Sequence, residues 1–390
     1  MSKRPLLYLL IGLSLFFIST GLTYYILSYS PNLRPSSSST SATPSPVVKK
    51  PRIDPSLPRT ESCPLNGVMY TKTEKDIWST RRPLAVMIEN HLDSRPTSGL
   101  STADVVYEAV AEGGITRYMG IFYCGITPDS TMFSPVRSAR IYFVKIVPEY
   151  DALYNHVGGA GNCDDPTVDE QAKALCFIRK NKIRDLDQFG RAGDFRTCHR
   201  VTNRLDHEVA YEHTMACYSD ELYKAAVKYK WTNVDEKGIP WDKNFVSWKF
   251  KEDNLQKGTT TEISFDFWAS KKEYSVTWKF DSAQNQYLRF IAGQKDIDLN
   301  ENIQLTAKNV VIQFVKEIGP LDEHLHMNYE VTGTGRALIF QDGKVISGKW
   351  SKATPFARTK FSDESGKDVE LNRGVTWIEL VPSGNQIQYN

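Results

Sequence analysis

Between Pro5 and Tyr29 the chain reads PLLYLLIGLSLFFISTGLTYYILSY, a run without one charged side chain. About 20 apolar residues cross the hydrocarbon core of a bilayer, so a run of this length predicts one transmembrane helix rather than a segment of a water-soluble core. A secretory signal peptide carries a shorter apolar stretch and a small-residue cleavage site. Here the run is longer and no A-x-A pattern follows it. No cysteine lies in or just after it, so a bacterial lipid has no acceptor there. Lys3 and Arg4 precede the run and favour a cytoplasmic N-terminus, which sends the rest of the chain outward. The expected location is therefore the cell membrane, single-pass, with the bulk extracytoplasmic. Removal of the run as a cleaved signal is the other reading.

Residues 30–60 are rich in Ser and Pro and poor in large apolar groups, the composition of an extended tether. The first 60 residues carry seven basic side chains and one acid, Asp54. The other 330 hold 41 basic and 45 acidic groups, a net of −4. The net +2 of the whole chain thus belongs to the anchor flank and tether. A body that is slightly acidic lacks the concentrated basic face of a nucleic-acid binder, and no nucleic-acid partner is expected. With 41% hydrophobic and 12% aromatic residues the body can build a packed core, and its length suits two domains.

Six cysteines, at 63, 124, 163, 176, 198 and 217, are an even number in a chain predicted to leave the cytoplasm. Disulfides are the first expectation, with 15 connectivities open. Free buried thiols and a zinc site are the alternatives. His199 beside Cys198, and His213 four residues before Cys217, would serve zinc, but no C-x-x-C pair is present.

From Arg82 onward, buried runs alternate with turns. PLAVMIEN (83–90) reads as a central strand, 90–104 as a loop, and DVVYEAVAE and ITRYMGIFYC as a hairpin around Gly113-Gly114. After Pro135, SARIYFVKIVPEY has apolar residues at helical spacing and DALYNHVGG reads as a strand. Strand, helix and strand in that order predict an α/β domain over 61–232. DEQAKALCFIRKN and YSDELYKAAVKYK add helices. After about 233 the chain turns to short aromatic and β-branched runs separated by Gly/Asp/Asn turns, including Asp342-Gly343. A mostly antiparallel β-rich domain is expected over 233–390, behind the anchor (1–29) and tether (30–60).

Candidate ligand-binding residues gather in 89–159: Asn90, His91, Arg95, Glu108, Glu112, Arg117, Arg137, Arg140 and His156; Glu89 is a further polar group of the same stretch. Polar groups at the ends of buried strands mark the mouth of a sheet. SPVRSAR places Arg137 and Arg140 at an expected helix start, and with Arg117 they could form an anion pocket. The competing expectation is that each arginine pairs with a glutamate and braces the fold. Glu108 and Glu112 on one strand would stand about 13 Å apart, too far for a glycosidase pair, and a glutamate ion-paired to Arg117 is expected instead. Asp164 and Asp165 with Glu112 could hold a divalent cation but show no ligand spacing, so no metal is assigned. No Walker loop, G-x-S-x-G elbow or H-E-x-x-H helix occurs, so no catalytic residue or cofactor is assigned.

PLNG (64–67), RPLAVMIENHLDSRPTSGLSTADVVYEAVAEGGITRYMGIF (82–122), SPVRSAR with EYDALYNHVGG, and then YLRFIAG, NVVIQF, GTGRALIFQDGKVISGKW and GVTWIELVP resemble, in order, the YerB-like family of bacterial extracytoplasmic lipoproteins. The resemblance spans about 64–382 and implies an α/β domain followed by a β-rich companion. The chain departs from the family in its uncharged run, in its cysteine cluster and at Tyr211-Glu212-His213-Thr214, where a Pro-His-Asn-like element is expected. The order of strand, Pro-x-Arg element, helix and Gly-Gly turn is also similar to the LytR-CpsA-Psr ligases. That similarity would imply Arg117, Arg137 and Arg140 gripping a pyrophosphate, with an acid holding a metal ion. The expected function is a membrane-anchored, non-enzymatic protein binding a cell-wall polymer, an anionic ligand or an envelope protein. The alternatives are an enzyme acting on a phosphorylated or polyprenyl-linked glycan, and a scaffold without a pocket.

Overall fold

The computed structural model describes residues 53–54, 56–126, 130–190 and 197–390, and within the uncharged run Leu13, Ser14, Phe16, Phe17, Ser19 and Thr20, all helical. Most of the expected anchor and tether therefore lies outside the described residues. Among those described, no helix is long and apolar enough to cross a membrane. Residues 1–49 and 50–390 form separate units.

The centre of the second unit is a ten-stranded sheet. The strands are β1 (Leu84–Glu89), β2 (Val105–Glu112), β3 (Ile115–Phe122), β4 (Leu153–His156), β5 (Asp185–Asp187), β6 (Asn309–Val315), β7 (Gly333–Gln341), β8 (Lys344–Lys352), β9 (Lys360–Asp363) and β10 (Thr376–Pro382). Their spatial order is β9-β8-β7-β6-β10-β2-β3-β1-β4-β5. Every residue of β1, β6 and β10 is buried, as continuous apolar runs require when both faces are covered. The expected hairpins form where the turn residues allow them: Gly113 and Gly114, and again Asp342 and Gly343, have positive φ. Those angles match the twist of tightly turned antiparallel strands. β10 runs parallel to both β6 and β2, pairing Thr376 with Val105 through Glu379 with Glu108. Five strands from each side of residue 233 thus share one sheet.

A second sheet, built on Glu262–Phe265, Val276–Asp281 and Gln286–Ile291, is antiparallel. Gln286–Ile291 alternates half-buried and buried positions, as a strand with one covered face does. The sheet sends Trp278 against Trp377, whose ring also meets Tyr118, both edge-on.

The β-rich second half agrees with the sequence. The α/β expectation for the first half does not hold in that form, because too little helix is present to flank a sheet. The described helices of this unit are α1 (Lys72–Trp78), α2 (Ile141–Val144), α3 (Ala174–Asn181) and α4 (Ser219–Lys228). The helical spacing after Pro135 yields only the single turn α2, followed by a 3₁₀ turn, Val147–Tyr150, that contains Pro148. Proline cannot donate to a continuing helical ladder, which separates the two turns.

All six cysteines are paired, Cys63–Cys124, Cys163–Cys176 and Cys198–Cys217, and no free cysteine remains. The zinc and free-thiol alternatives therefore lose their thiolates. Cys198 and Cys217 face each other across an antiparallel strand pair.

Candidate functional site

The nine candidate ligand-binding residues separate into four groups rather than one pocket. In the first, Glu112 sits at the end of β2, beyond a register shift after Val110. It accepts a 2.7 Å hydrogen bond from Arg117 on β3, and bonds of 3.0 and 2.7 Å from Nε and Nη2 of Arg140. Further donors of these arginines go to the backbone oxygens of Ser138 and Ala139. Burial alone would raise the Glu112 carboxyl, but the two guanidiniums outweigh it and hold it down at about 2. Arg117 and Arg140 are buried and point at this glutamate, so they brace the sheet end. α2 is too short to supply the helix N-terminus on which an anion pocket was expected.

The second group centres on Glu108, which is fully buried. This carboxylate accepts from Thr116 Oγ1 at 2.7 Å and from Asn90 Nδ2 at 3.3 Å, and its other oxygen receives Arg289. Arg289 also donates to Asp296 at 2.9 Å and Glu379 at 3.0 Å and lies over the Trp377 ring. Arg95 holds Asn90 through Nε at 2.9 Å and donates to the Glu273 carbonyl from the second half. Asn90, Arg95 and Glu108 are therefore parts of the seam between the two halves.

The third group surrounds Glu89 at the end of β1. His213 Nδ1 donates to Glu89 Oε2 at 2.6 Å, and Arg137 Nε lies 2.9 Å from Oε1, an ion pair without hydrogen-bond alignment. His91, which caps the short turn Leu92–Ser94, stacks on His213 with ring centroids 4.7 Å apart. No role for His213 is legible in its neighbours along the chain, which differ from the family element. Only the fold brings it to Glu89.

His156 makes the fourth. It is buried on β4, its Nδ1 at 2.7 Å from the Gly158 carbonyl and its Nε2 at 3.7 Å from Asp185 Oδ1. Asp164 and Asp165 do not gather with Glu112: Asp165 accepts from Thr167 in its own turn.

A further cavity contains none of the nine. It is an open cleft of about 900 Å³ at the β5 edge of the sheet, where α3 and α4 both end. Arg179, Lys182, Arg184, Lys230 and Lys237 line it, with Asp185, Asp187, Asp235, Glu236, Tyr229 and Trp231. Arg184 is tied to Asp151. No ion pair among the described residues engages Arg179, Lys182, Lys230 or Lys237.

Both helices reach the cleft in the same way. Ile183 N–H donates to the Ile178 carbonyl and Trp231 N–H to the Ala226 carbonyl, the wide closure of a helix whose next residue is left-handed. That residue is lysine in both cases: Lys182 has φ +52° and Lys230 φ +60°. Glycine is the ordinary occupant of such a position, and an L-residue costs roughly 1 kcal/mol there. The signal was present in the sequence as IRKNKIR (178–184) and KYKW (228–231), two basic runs with aromatic neighbours.

The model for the N-terminal domain of the protein family of unknown function DUF3048 matches residues 67–231, and the model for its C-terminal domain matches 263–378. A Bacillus subtilis (strain 168) protein named "Putative lipoprotein YerB" is 27% identical over 323 residues, covering 82% of this chain and 86% of its own. The crystal structure of the YerB protein from Bacillus subtilis superposes with a TM-score of 0.67 at 24% identity, covering 84% of this chain and 100% of that one. At that identity the likeness establishes the fold.

Proposed function

We propose, from the premise that this chain belongs to the two-domain DUF3048 family of YerB-like proteins, that it is a membrane-attached extracytoplasmic protein whose N-terminal half binds an anionic glycan polymer of the cell envelope. Three disulfides support an oxidising compartment. The name of the Bacillus relative describes a lipoprotein, a protein held to a membrane through lipid. In this chain the first cysteine, Cys63, is committed to Cys124, so the uncharged run from Pro5 to Tyr29 is the better means of attachment.

The observation that carries the binding reading is the β5-edge cleft, with four cations outside any ion pair among the described residues and two aromatic residues beside them. Ion-paired cations already have their counter-charge, whereas Arg179, Lys182 and Lys230 can offer theirs to phosphate or carboxylate groups of a ligand; Lys237 already acts on Asp235. Tyr229 and Trp231 supply flat apolar faces for a sugar ring. The two left-handed lysines support the same reading, since local strain concentrates where a side chain is needed for function. A body of net −4 gains little from overall charge, so attraction must come from this local cluster.

Sedimentation of the full-length chain in mild detergent with isolated cell walls tests the reading. Retention that weakens as salt rises is expected. No retention by any wall fraction at low salt would contradict it.

A further inference from the structure

We infer that His91, Asp93 and His213 form a binding site for a divalent cation of the zinc class. One nitrogen from each ring and one carboxylate oxygen of Asp93 lie within 4.8 Å of one another. Two imidazoles and one carboxylate are a donor set that borderline metals accept, with a fourth position left for water or a ligand. Bonds of about 2.0–2.2 Å require the three atoms to draw together by roughly an ångström. Asp93 is exposed and His91 only half-buried, so both can make that movement, while His213 is the fixed member.

What distinguishes this cluster from a stacked pair of surface histidines is the arrangement behind it. Glu89, itself buried, receives the Nδ1 proton of His213 at 2.6 Å, which leaves the lone pair of His213 on Nε2. A buried carboxylate behind an imidazole is the usual means by which a metal-binding histidine is oriented and made more basic. Arg137 Nε stands 2.9 Å from the other oxygen of Glu89 and fixes that carboxylate in place. On the second ring, His91 Nδ1 accepts the Asp93 N–H at 3.3 Å, so this nitrogen too carries a lone pair, 3.7 Å from Asp93 Oδ2. The weak backbone contact is the one a metal would replace. His207 engages Asp206 through Nδ1 and the Asp93 carbonyl through Nε2, and adds no ligand. None of these residues lines the β5-edge cleft, so the inference stands apart from the proposed polymer binding.

The test is calorimetric titration of the chelator-treated full-length chain with zinc chloride. One zinc per chain is expected, with magnesium failing to compete. His91→Ala and Asp93→Asn should each weaken zinc binding at least about tenfold, as should Glu89→Gln acting through His213. His324→Ala should change nothing. Substitution of cobalt(II) for zinc should give a visible absorption band that His91→Ala abolishes, a readout independent of stability. Absence of binding in the unaltered chain, or zinc affinity unchanged in both His91→Ala and Asp93→Asn, would overturn the assignment.

Discussion

Glu379 on β10 stands directly opposite Glu108 on β2, in the parallel register that joins the two halves of the chain, and both carboxyls are fully buried. One guanidinium, Arg289, contacts both and also Asp296. A single cation cannot neutralise three carboxylates. Burial, and then the negative Glu108 beside it, pushes the Glu379 carboxyl well above the ordinary carboxylate range, and burial raises Glu108 in the same direction. The native state therefore holds a proton that the unfolded chain releases near pH 4.5. Stability must fall as pH rises from there toward the folded value. Glu379→Gln keeps a neutral side chain at every pH. Urea unfolding at pH 5 and pH 8 should show the unaltered chain losing on the order of 1–2 kcal/mol more than the variant across that interval. Equal losses would mean the seam carries no shared proton.

The Glu112 brace has the opposite sign. Its folded value of about 2 lies below the unfolded one, so its contribution is complete above pH 4.5 and disappears as pH falls through about 2. Glu112→Gln leaves Arg117 and Arg140 buried beside a neutral group, and should cost about 3 kcal/mol at pH 7. At pH 2 the difference from the unaltered chain should shrink to less than half. Denaturant midpoints at the two pH values measure it.

Lys182 and Lys230 separate stability from function. Glycine at either position relieves the left-handed backbone, so Lys182→Gly and Lys230→Gly should each leave the fold unharmed or stabilise it by up to about 1 kcal/mol. Each should also weaken retention by cell walls. A variant that is less stable, or that binds walls as well as the unaltered chain does, would show that the lysine is not kept for the ligand.

The disulfides should differ in weight. Cys63–Cys124 spans 61 residues and ties the segment before α1 to the end of β3, whereas Cys163–Cys176 spans 13. Loop-closure entropy predicts a loss of about 4 kcal/mol for Cys63→Ala/Cys124→Ala and about 3 for Cys163→Ala/Cys176→Ala. Urea midpoints of the two double variants give the order, and the reverse order would count against an entropic origin of the stabilisation.

Strands were legible wherever the pattern was local. LAVMIE has no polar interruption, and the Gly113-Gly114 and Asp342-Gly343 turns state their own geometry. The expected ion pair of a glutamate with Arg117 is present, at Glu112. What no local pattern carries is the pairing of β10 with β2, some 270 residues apart in sequence, which turns Glu108 from a candidate acid into half of a seam. The helix expected after Pro135 failed because apolar spacing ignores Pro148. The cleft was hidden for a different reason. Apart from Lys237, its cations come from two short basic runs that look like ordinary solvated helix ends until α3 and α4 finish side by side.

The central claim is that the ligand is held at the β5 edge and not by the arginines of SPVRSAR. Wall binding of Arg179→Glu/Lys182→Glu/Lys230→Glu, compared with that of Arg137→Ala, tests it most directly. The cleft variant is predicted to lose at least about tenfold in affinity, or about 1.4 kcal/mol, with an unchanged far-ultraviolet spectrum, while Arg137→Ala binds as the unaltered chain does. Full binding by the cleft variant, or its loss in Arg137→Ala alone, would contradict the claim.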